Sequence, residues 1–396
     1  MHLLLTSVTA IVVSAVTLQL VFLAIQVAGS LQLGGNAGEN VAHRARCAVV
    51  IPAHNERGNI AQAIAAIRPQ LNPADRLIVV ADNCSDDTAQ MAAAAGADTI
   101  ERTDTVRIGK GYALDFAMRH IESTGIPDVI IFVDADCIAA PGCISLLANM
   151  VEARGRPVQG KYLMRALLKT PAARMAEFSF KIKNYVRPGG GSRFGLPCLL
   201  YGSAMAFPWK LIGGSILATG HLTEDLKLAI DLSLHGFPPL YCPEAQCDST
   251  FPESEGAMTT QRTRWQHGYF ASLVEYTPKL IAAALRRADW RPLAVAVDLS
   301  VPPLALMFMI TALMSLLASA AILLGAGGVL AETSLVLFPA FVLLILIIWR
   351  FHGRDIVSGA DLVASLNQLV ARISMLWNFI TKPQRSWVRT ERKEDR

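Results

Sequence analysis

Residues 46–56 read Arg-Cys-Ala-Val-Val-Ile-Pro-Ala-His-Asn-Glu. An apolar, largely β-branched run breaks at a proline into a polar cluster, which predicts a buried strand over 48–51 with a functional turn behind it. The change recurs twice. Leu77 to Val80 leads into Asp82-Asn83-Cys84-Ser85-Asp86-Asp87, and Val129 to Val133 leads into Asp134-Ala135-Asp136. Alanine-rich stretches at 59–68 and 87–95, and a third helical stretch at 110–121, separate these runs. Strands alternating with helices predict an α/β, Rossmann-like parallel sheet covered on both faces. Ligands of such sheets bind beyond the carboxyl ends of the strands, which is where the polar clusters fall.

The first turn, Pro-Ala-His-Asn-Glu-Arg-Gly-Asn at 52–59, lacks the GxGxxG glycines that let backbone amides approach a pyrophosphate. That argues against a dinucleotide oxidoreductase. Acidic residues closing two strands suit a site in which a cation carries the phosphate charge. Asp134 and Asp136, separated by one residue, can reach a divalent ion whose hard-oxygen preference fits Mg²⁺ or Mn²⁺. The plainer reading of such a pair is a solvated turn or helix cap.

The 396 residues are 53% hydrophobic and 17% charged, against about 25% charged in soluble domains. This excludes disorder and a wholly soluble protein. The apolar excess sits at the two ends, with no charged side chain before Glu39 and none between Leu299 and Ala331. Runs 3–27, 304–325 and 333–349 have about the length that crosses a hydrocarbon core. A cleaved signal peptide ending near Val27-Ala28-Gly29 competes for the first run, but it lacks the basic residues that precede one. The organisation expected is an N-terminal transmembrane helix in 1–30, a cytosolic domain over 40–291, two transmembrane helices in 292–350, an amphipathic interfacial helix over 351–380 and a basic cytosolic tail over 381–396. A fourth span in place of the interfacial helix would put that tail outside. Arg44 and Arg46 after the first run place the N-terminus outside and the domain in the cytoplasm, in a bacterial-type inner (plasma) membrane. A net charge of +4 without a basic stripe gives no footprint for nucleic acid. Seven cysteines without a CxxC pair read as reduced, packing thiols.

Seven motifs in chain order resemble the family 2 glycosyltransferases, in particular the membrane-embedded branch that includes cellulose, chitin and hyaluronan synthases. They are V-V-I-P-A-H-N-E at 49–56, V-V-A-D-N-C-S-D-D-T at 79–88, G-K-G-Y-A-L at 109–114, D-A-D at 134–136, Y-G-S-A-M-A-F at 201–207, T-E-D at 223–225 and Q-R-T-R-W at 261–265. The resemblance covers about residues 46–270. It implies a GT-A type fold and inverting transfer of a sugar from a UDP-sugar to a hydroxyl, forming a β-linkage in cell-surface polysaccharide or exopolysaccharide.

It also implies roles. Asp82 would hydrogen-bond the uracil, with Ala53, Asn55 and Glu56 lining the nucleoside pocket. Lys110 and Arg264 would meet the phosphates, Asp134 the ribose and Asp136 the metal. Asp225 would be the general base; its neighbour Glu224 is expected to serve only the helix dipole, since adjacent helical residues point apart. Gly202, Ser203, Gln261 and Trp265 would face the acceptor, with the indole stacking on a sugar ring. Ser386 to Arg392 is similar to the gating loop of these synthases, implicating Trp387, Thr390 and Arg392. Plainer readings stand beside these: a helix-end contribution for Glu56, a solvated Lys110, headgroup anchoring for Trp265, and lipid binding by the basic tail. The segment 174–187 reads equally as an interfacial or a core helix.

Three spans hardly enclose a polysaccharide channel within one chain. The reading therefore includes an oligomer or secretion partner, or transfer of a single sugar to a polyprenyl-phosphate or other lipid-linked acceptor. A non-catalytic, sugar-nucleotide-sensing membrane adaptor is the alternative of a different class.

Overall fold

A computed structural model describes residues 2–33, 45–213, 217–252 and 254–366. Arg44, the stretch of the expected interfacial helix beyond 366, the basic tail and the gating-loop candidates Trp387, Thr390 and Arg392 lie outside the described residues.

In chain order the elements are α1 (His2–Ser30), β1 (Cys47–Ala53), α2 (Ile60–Ile67), β2 (Arg76–Asp82), α3 (Thr88–Ala94), β3 (Asp98–Arg102), α4 (Lys110–Thr124), β4 (Val129–Phe132), β5 (Ile138–Ala139), α5 (Cys143–Arg154), β6 (Val158–Arg165), α6 (Pro171–Lys181), a π-helical segment Ile182–Val186, α7 (Arg187–Ser192), β7 (Met205–Pro208), α8 (Trp209–Ile212), α9 (Glu224–Leu234), β8 (Leu240–Thr250), α10 (Glu255–Arg287), α11 (Trp290–Ser300), α12 (Leu304–Leu323), α13 (Val329–Ile348), a π-helical segment Trp349–Gly353 and α14 (Gly359–Leu366).

The strands form one eight-stranded sheet in the order β3-β2-β1-β4-β7-β6-β8-β5. β1 to β4 are parallel, and β7 runs antiparallel to both β4 and β6. The Rossmann-like α/β expectation therefore holds. β1, β2 and β4 are almost wholly buried along their lengths, each Val or Ile contributing about 1.5–3 kcal/mol of burial. α2 covers them with Ile60, Ala63, Ile64 and Ile67, the spacing of one helical face. Chain order reverses at β1, between β2 and β4, so a crevice opens where Ala53, Asp82 and Asp134 leave the sheet.

Among the described residues, three helices are long and apolar enough to cross a membrane: Thr6–Ser30, Leu304–Leu323 and Val329–Gly353. They are joined to the sheet domain through 171–192, whose Phe178, Ile182 and Val186 are buried in one cluster with Leu23, Val27, Phe341 and Ile348. The run Pro188-Gly189-Gly190-Gly191 explains the closest contact. A methyl group on Gly190 would collide with the Gln26 carbonyl, so only glycine lets α7 lie against α1. Arg187 Nη2 donates to Asp298 Oδ1 at 2.8 Å and Gln26 Nε2 donates to the same oxygen at 2.7 Å, tying α7, α11 and α1 together in a buried network.

Candidate active site

Asp82 is the last residue of β2, and Asp134 and Asp136 follow β4. Lys110 opens α4 behind Gly109, whose φ of +132° suits glycine. Glu224 and Asp225 form the first turn of α9, where the positive end of the helix favours carboxylates. Gln261, Arg264 and Trp265 share α10. All of these, with Ala53, Glu56 and Gly202, line one cavity of about 860 Å³.

At its centre Lys110 Nζ stands 2.5 Å from Asp134 Oδ1 and 3.8 Å from Glu224 Oε1, and donates to the Gly202 carbonyl at 2.7 Å. Burial opposes the ammonium charge, but the carboxylates of Asp134, Glu224 and Asp225 together hold its pKa above the ordinary lysine value. Burial also raises Asp134, against Lys110, with Asp136 and Asp225 adding to the rise. Burial pushes Glu224 up to about 7, again against Lys110. Arg264 is lowered by burial, while Glu224, Asp225 and Asp134 favour its charge. A positive φ of +97° puts Gly202 at the middle of this cluster. A methyl group there would lie 3.5 Å from Asp225 Oδ2, 3.8 Å from Asp134 Oδ2 and 3.8 Å from Lys110 Nζ.

Four residues sit differently from the sequence expectation. Asn55 does not line the cavity. Its side-chain oxygen accepts from Ser85 N at 2.7 Å and its nitrogen donates to Ser85 Oγ at 3.0 Å, so it clamps the turn after β1 to the turn after β2. Ser203 is fully buried, accepting on Oγ from Asp134 N at 3.1 Å; it positions the backbone behind the site and cannot touch an acceptor. Glu224 joins the cluster instead of turning away, because the N-terminus of α9 meets the cavity end-on. The Trp265 ring packs 6.0 Å from the Phe180 ring, tilted by 38°, while still lining the cavity.

Arg102 was not anticipated. From the end of β3 its Nη1 donates to Asp82 Oδ1 at 2.6 Å, and both side chains are buried. Burial raises the Asp82 pKa, while the hydrogen bond and charge of Arg102 lower it. The basic-acidic segment Asp98-Thr99-Ile100-Glu101-Arg102 lacks the apolar alternation by which a strand is found.

Ligand atoms of Asp134, Asp136 and Cys137 lie within 4.8 Å of one another. Burial raises the Cys137 thiol pKa above its ordinary value. The two carboxylates of the group are hard oxygen donors of the kind that fit Mg²⁺ or Mn²⁺. Asp136 Oδ2 also accepts from Ser249 Oγ at 3.1 Å. Among the described residues, His54, His221 and His267 do not join this group.

A parallel half-sheet with acids and cations gathered at its carboxyl edge is the arrangement of the GT-A type fold. The family profile described as "Glycosyltransferase like family 2" matches residues 43–268, more than half of the chain. The chain belongs to this family of glycosyltransferases. It is 28% identical over 245 residues to the probable glycosyltransferase YdaM of Bacillus subtilis (strain 168), a match covering 58% of this chain and 56% of that protein, and so only about half the length of that relative. Among solved structures it is similar to mannosyltransferase PcManGT from Pyrobaculum calidifontis, solved with GDP-Man and Mn²⁺. The likeness has a TM-score of 0.54 at 16% identity and covers 95% of this chain and 100% of that one.

Proposed function

We propose that the enzyme moves a sugar from a UDP-sugar to an acceptor hydroxyl with inversion, forming a β-linkage in cell-surface polysaccharide or exopolysaccharide. The transfer takes place at the cytoplasmic face of the membrane, and the N-terminus lies outside. The reading is carried by one observation: Lys110, Asp134, Gly202, Glu224 and Asp225, from four distant segments, meet around a single cavity at the edge of the sheet.

Asp225 takes the proton of the acceptor hydroxyl as its oxygen attacks the anomeric carbon from the side opposite the leaving diphosphate. Lys110 and Arg264 stabilise the charge that develops on that diphosphate. Asp82, fixed by Arg102, reads the base; Ala53 and Glu56 line its pocket, and Asp134 meets the ribose. Asp136, helped by Asp134, would hold Mg²⁺ or Mn²⁺, which neutralises diphosphate charge when bound. The bound Mn²⁺ of the mannosyltransferase is in keeping with that donor set. Gly202, Gln261 and Trp265 face the acceptor end of the cavity.

The test is a panel of UDP- and GDP-sugars, assayed for metal-dependent nucleotide release by the purified chain, followed by sizing and anomeric analysis of the product. Release from UDP-sugars with a β-linked product is the expected result. A preference for GDP-sugars would overturn the donor assignment, and an α-linked product from an α-linked donor would overturn inversion.

A further inference from the structure

The cavity reaches from Phe308 of α12 and Val342 of α13 to the edge of the sheet, where Ala53, Asp82 and Asn83 line it. At that edge the Asp82 side chain keeps only 9% of its surface exposed, and its two oxygens are not equivalent. Oδ1 accepts from Arg102 Nη1 at 2.6 Å and from Asn83 Nδ2 at 3.0 Å. A carboxylate oxygen carries two lone-pair sites, so Oδ1 is full. Among the described residues no group donates to Oδ2, which is the acceptor left for a ligand in the cavity.

Both donors are themselves tied down. Arg102 Nη2 donates to Asp104 Oδ2 at 3.1 Å and to the Arg107 carbonyl at 2.7 Å, and its guanidinium lies 5.9 Å from the centroid of the Tyr112 ring. Asn83 N donates to the Arg102 carbonyl at 2.7 Å, and Asn83 Oδ1 accepts from Asp104 N at 2.8 Å. His54 Nδ1 donates to the Asp82 carbonyl at 2.7 Å, which fixes the backbone behind the carboxylate. Neither donor can leave Oδ1 without breaking further bonds, so Asp82 meets a ligand preorganised, with one oxygen.

The bases differ in what they bring to that oxygen. The pairing edge of uracil carries one donor, N3–H, between two carbonyl acceptors. Guanine carries two adjacent donors, N1–H and N2–H, which match the two oxygens of a free carboxylate. Cytosine and adenine place a ring-nitrogen lone pair where uracil has its hydrogen, and a carboxylate repels it. We propose that Arg102 selects the base of the donor: by filling Asp82 Oδ1 it leaves one acceptor, which suits the single N3–H of uracil and strands the second donor of guanine. An unpaired donor in a buried site costs affinity. The inference rests on the UDP-sugar reading above and names the residue that enforces it. Arg102 acts through Asp82 and is a positioning residue.

The test measures binding of UDP, GDP and CDP to the purified full chain in detergent with Mn²⁺; the shared diphosphate and cation cancel in the ratios of Kd. UDP is expected to bind at least about tenfold tighter than GDP or CDP, the size set by one unpaired or opposed hydrogen-bonding group. Arg102→Met frees Oδ1 and is expected to cut the preference for UDP over GDP at least fivefold, while the preference over CDP stays, since cytosine still lacks the imide hydrogen. Arg102→Lys keeps a donor and is expected to restore most of the loss. With Asp82→Ala in place, Arg102→Met should no longer move the UDP/GDP ratio. Asn83→Gly suits the φ of +52° at that position and removes the other donor to Oδ1, so it should lower the same ratio and carries the test if Arg102→Met does not fold. A UDP/GDP ratio unmoved by these variants, or moved equally with and without the Asp82 carboxylate, would overturn the assignment to Arg102 and leave the uridine reading standing. Tighter binding of GDP than of UDP by the unaltered chain would instead overturn the uridine reading itself.

Discussion

Arg102 holds Asp82 across 2.6 Å, so the last residue of β3 fixes the last residue of β2 at the mouth of the cavity. A second guanidinium nitrogen donates to Asp104 Oδ2 at 3.1 Å and to the Arg107 carbonyl at 2.7 Å, which locks the geometry from the far side. Removing one partner of a buried pair leaves the other charge uncompensated, at about 3–5 kcal/mol. Arg102→Leu is therefore expected to lower unfolding stability by about that amount and to raise the KM for the donor. Denaturant unfolding and donor titration measure the two effects. Unchanged values in both would remove the pair from the account of the site.

Asp225 and Asp136 should fail differently. Asp225→Asn keeps the shape and removes the base, so kcat for a hydroxyl acceptor is expected to fall by about 10²–10⁴ with the donor KM little changed. Asp136→Asn weakens the cation site, and should shift the Mn²⁺ or Mg²⁺ concentration for half-activation upward. A metal titration of both variants would contradict the division of labour if it moved for Asp225→Asn alone.

At Gly202 the positive φ is what a side chain would strain, since a methyl group there would meet its neighbours at ordinary van der Waals distances. Gly202→Ala puts a methyl group against Asp225, Asp134 and Lys110 and strains the left-handed backbone by roughly 1–2 kcal/mol. The expected outcome is a folded protein with at least tenfold lower kcat, checked by steady-state kinetics beside a melting curve. Full activity would mean that the three groups need no such close approach.

The raised pKa of Glu224 has a defined sign. With its folded value near 7 and its ordinary value at 4.5, the folded chain binds a proton that the unfolded chain has released between those limits. The stabilisation is then complete below about pH 4.5 and is lost as the pH rises through 7. Glu224→Gln mimics the protonated form, so its melting temperature should exceed that of the unaltered protein at pH 8 and match it near pH 5. A difference of the same size at both pH values would show that Glu224 is not protonated in the folded state at pH 5.

How far the sequence could be read follows the range of the interactions involved. β1, β2 and β4 are short β-branched runs ending in polar turns, a pattern contained within about ten residues, and they are where that pattern put them. β3 is a half-exposed, charged edge strand held by its pairing with β2, so no local pattern marks it and Arg102 went unseen. Lys183 stands beside Lys181 and Arg187 in one short stretch, and no local pattern sets it apart from them. Only the π-helical turn, set while Ile182 and Val186 pack against the apolar helices, directs it into the cavity.

Sequence alone determined the α/β order, the three apolar segments and the residue types suited to a phosphate-bearing, cation-assisted site, because each is written in neighbouring residues. Tertiary structure alone decided that Asn55 and Ser203 brace the site from behind, that Glu224 faces into it, and that the cavity continues to the faces of α12 and α13. Those outcomes depend on where a side chain points once distant segments have packed, and that direction is set by contacts no local stretch contains.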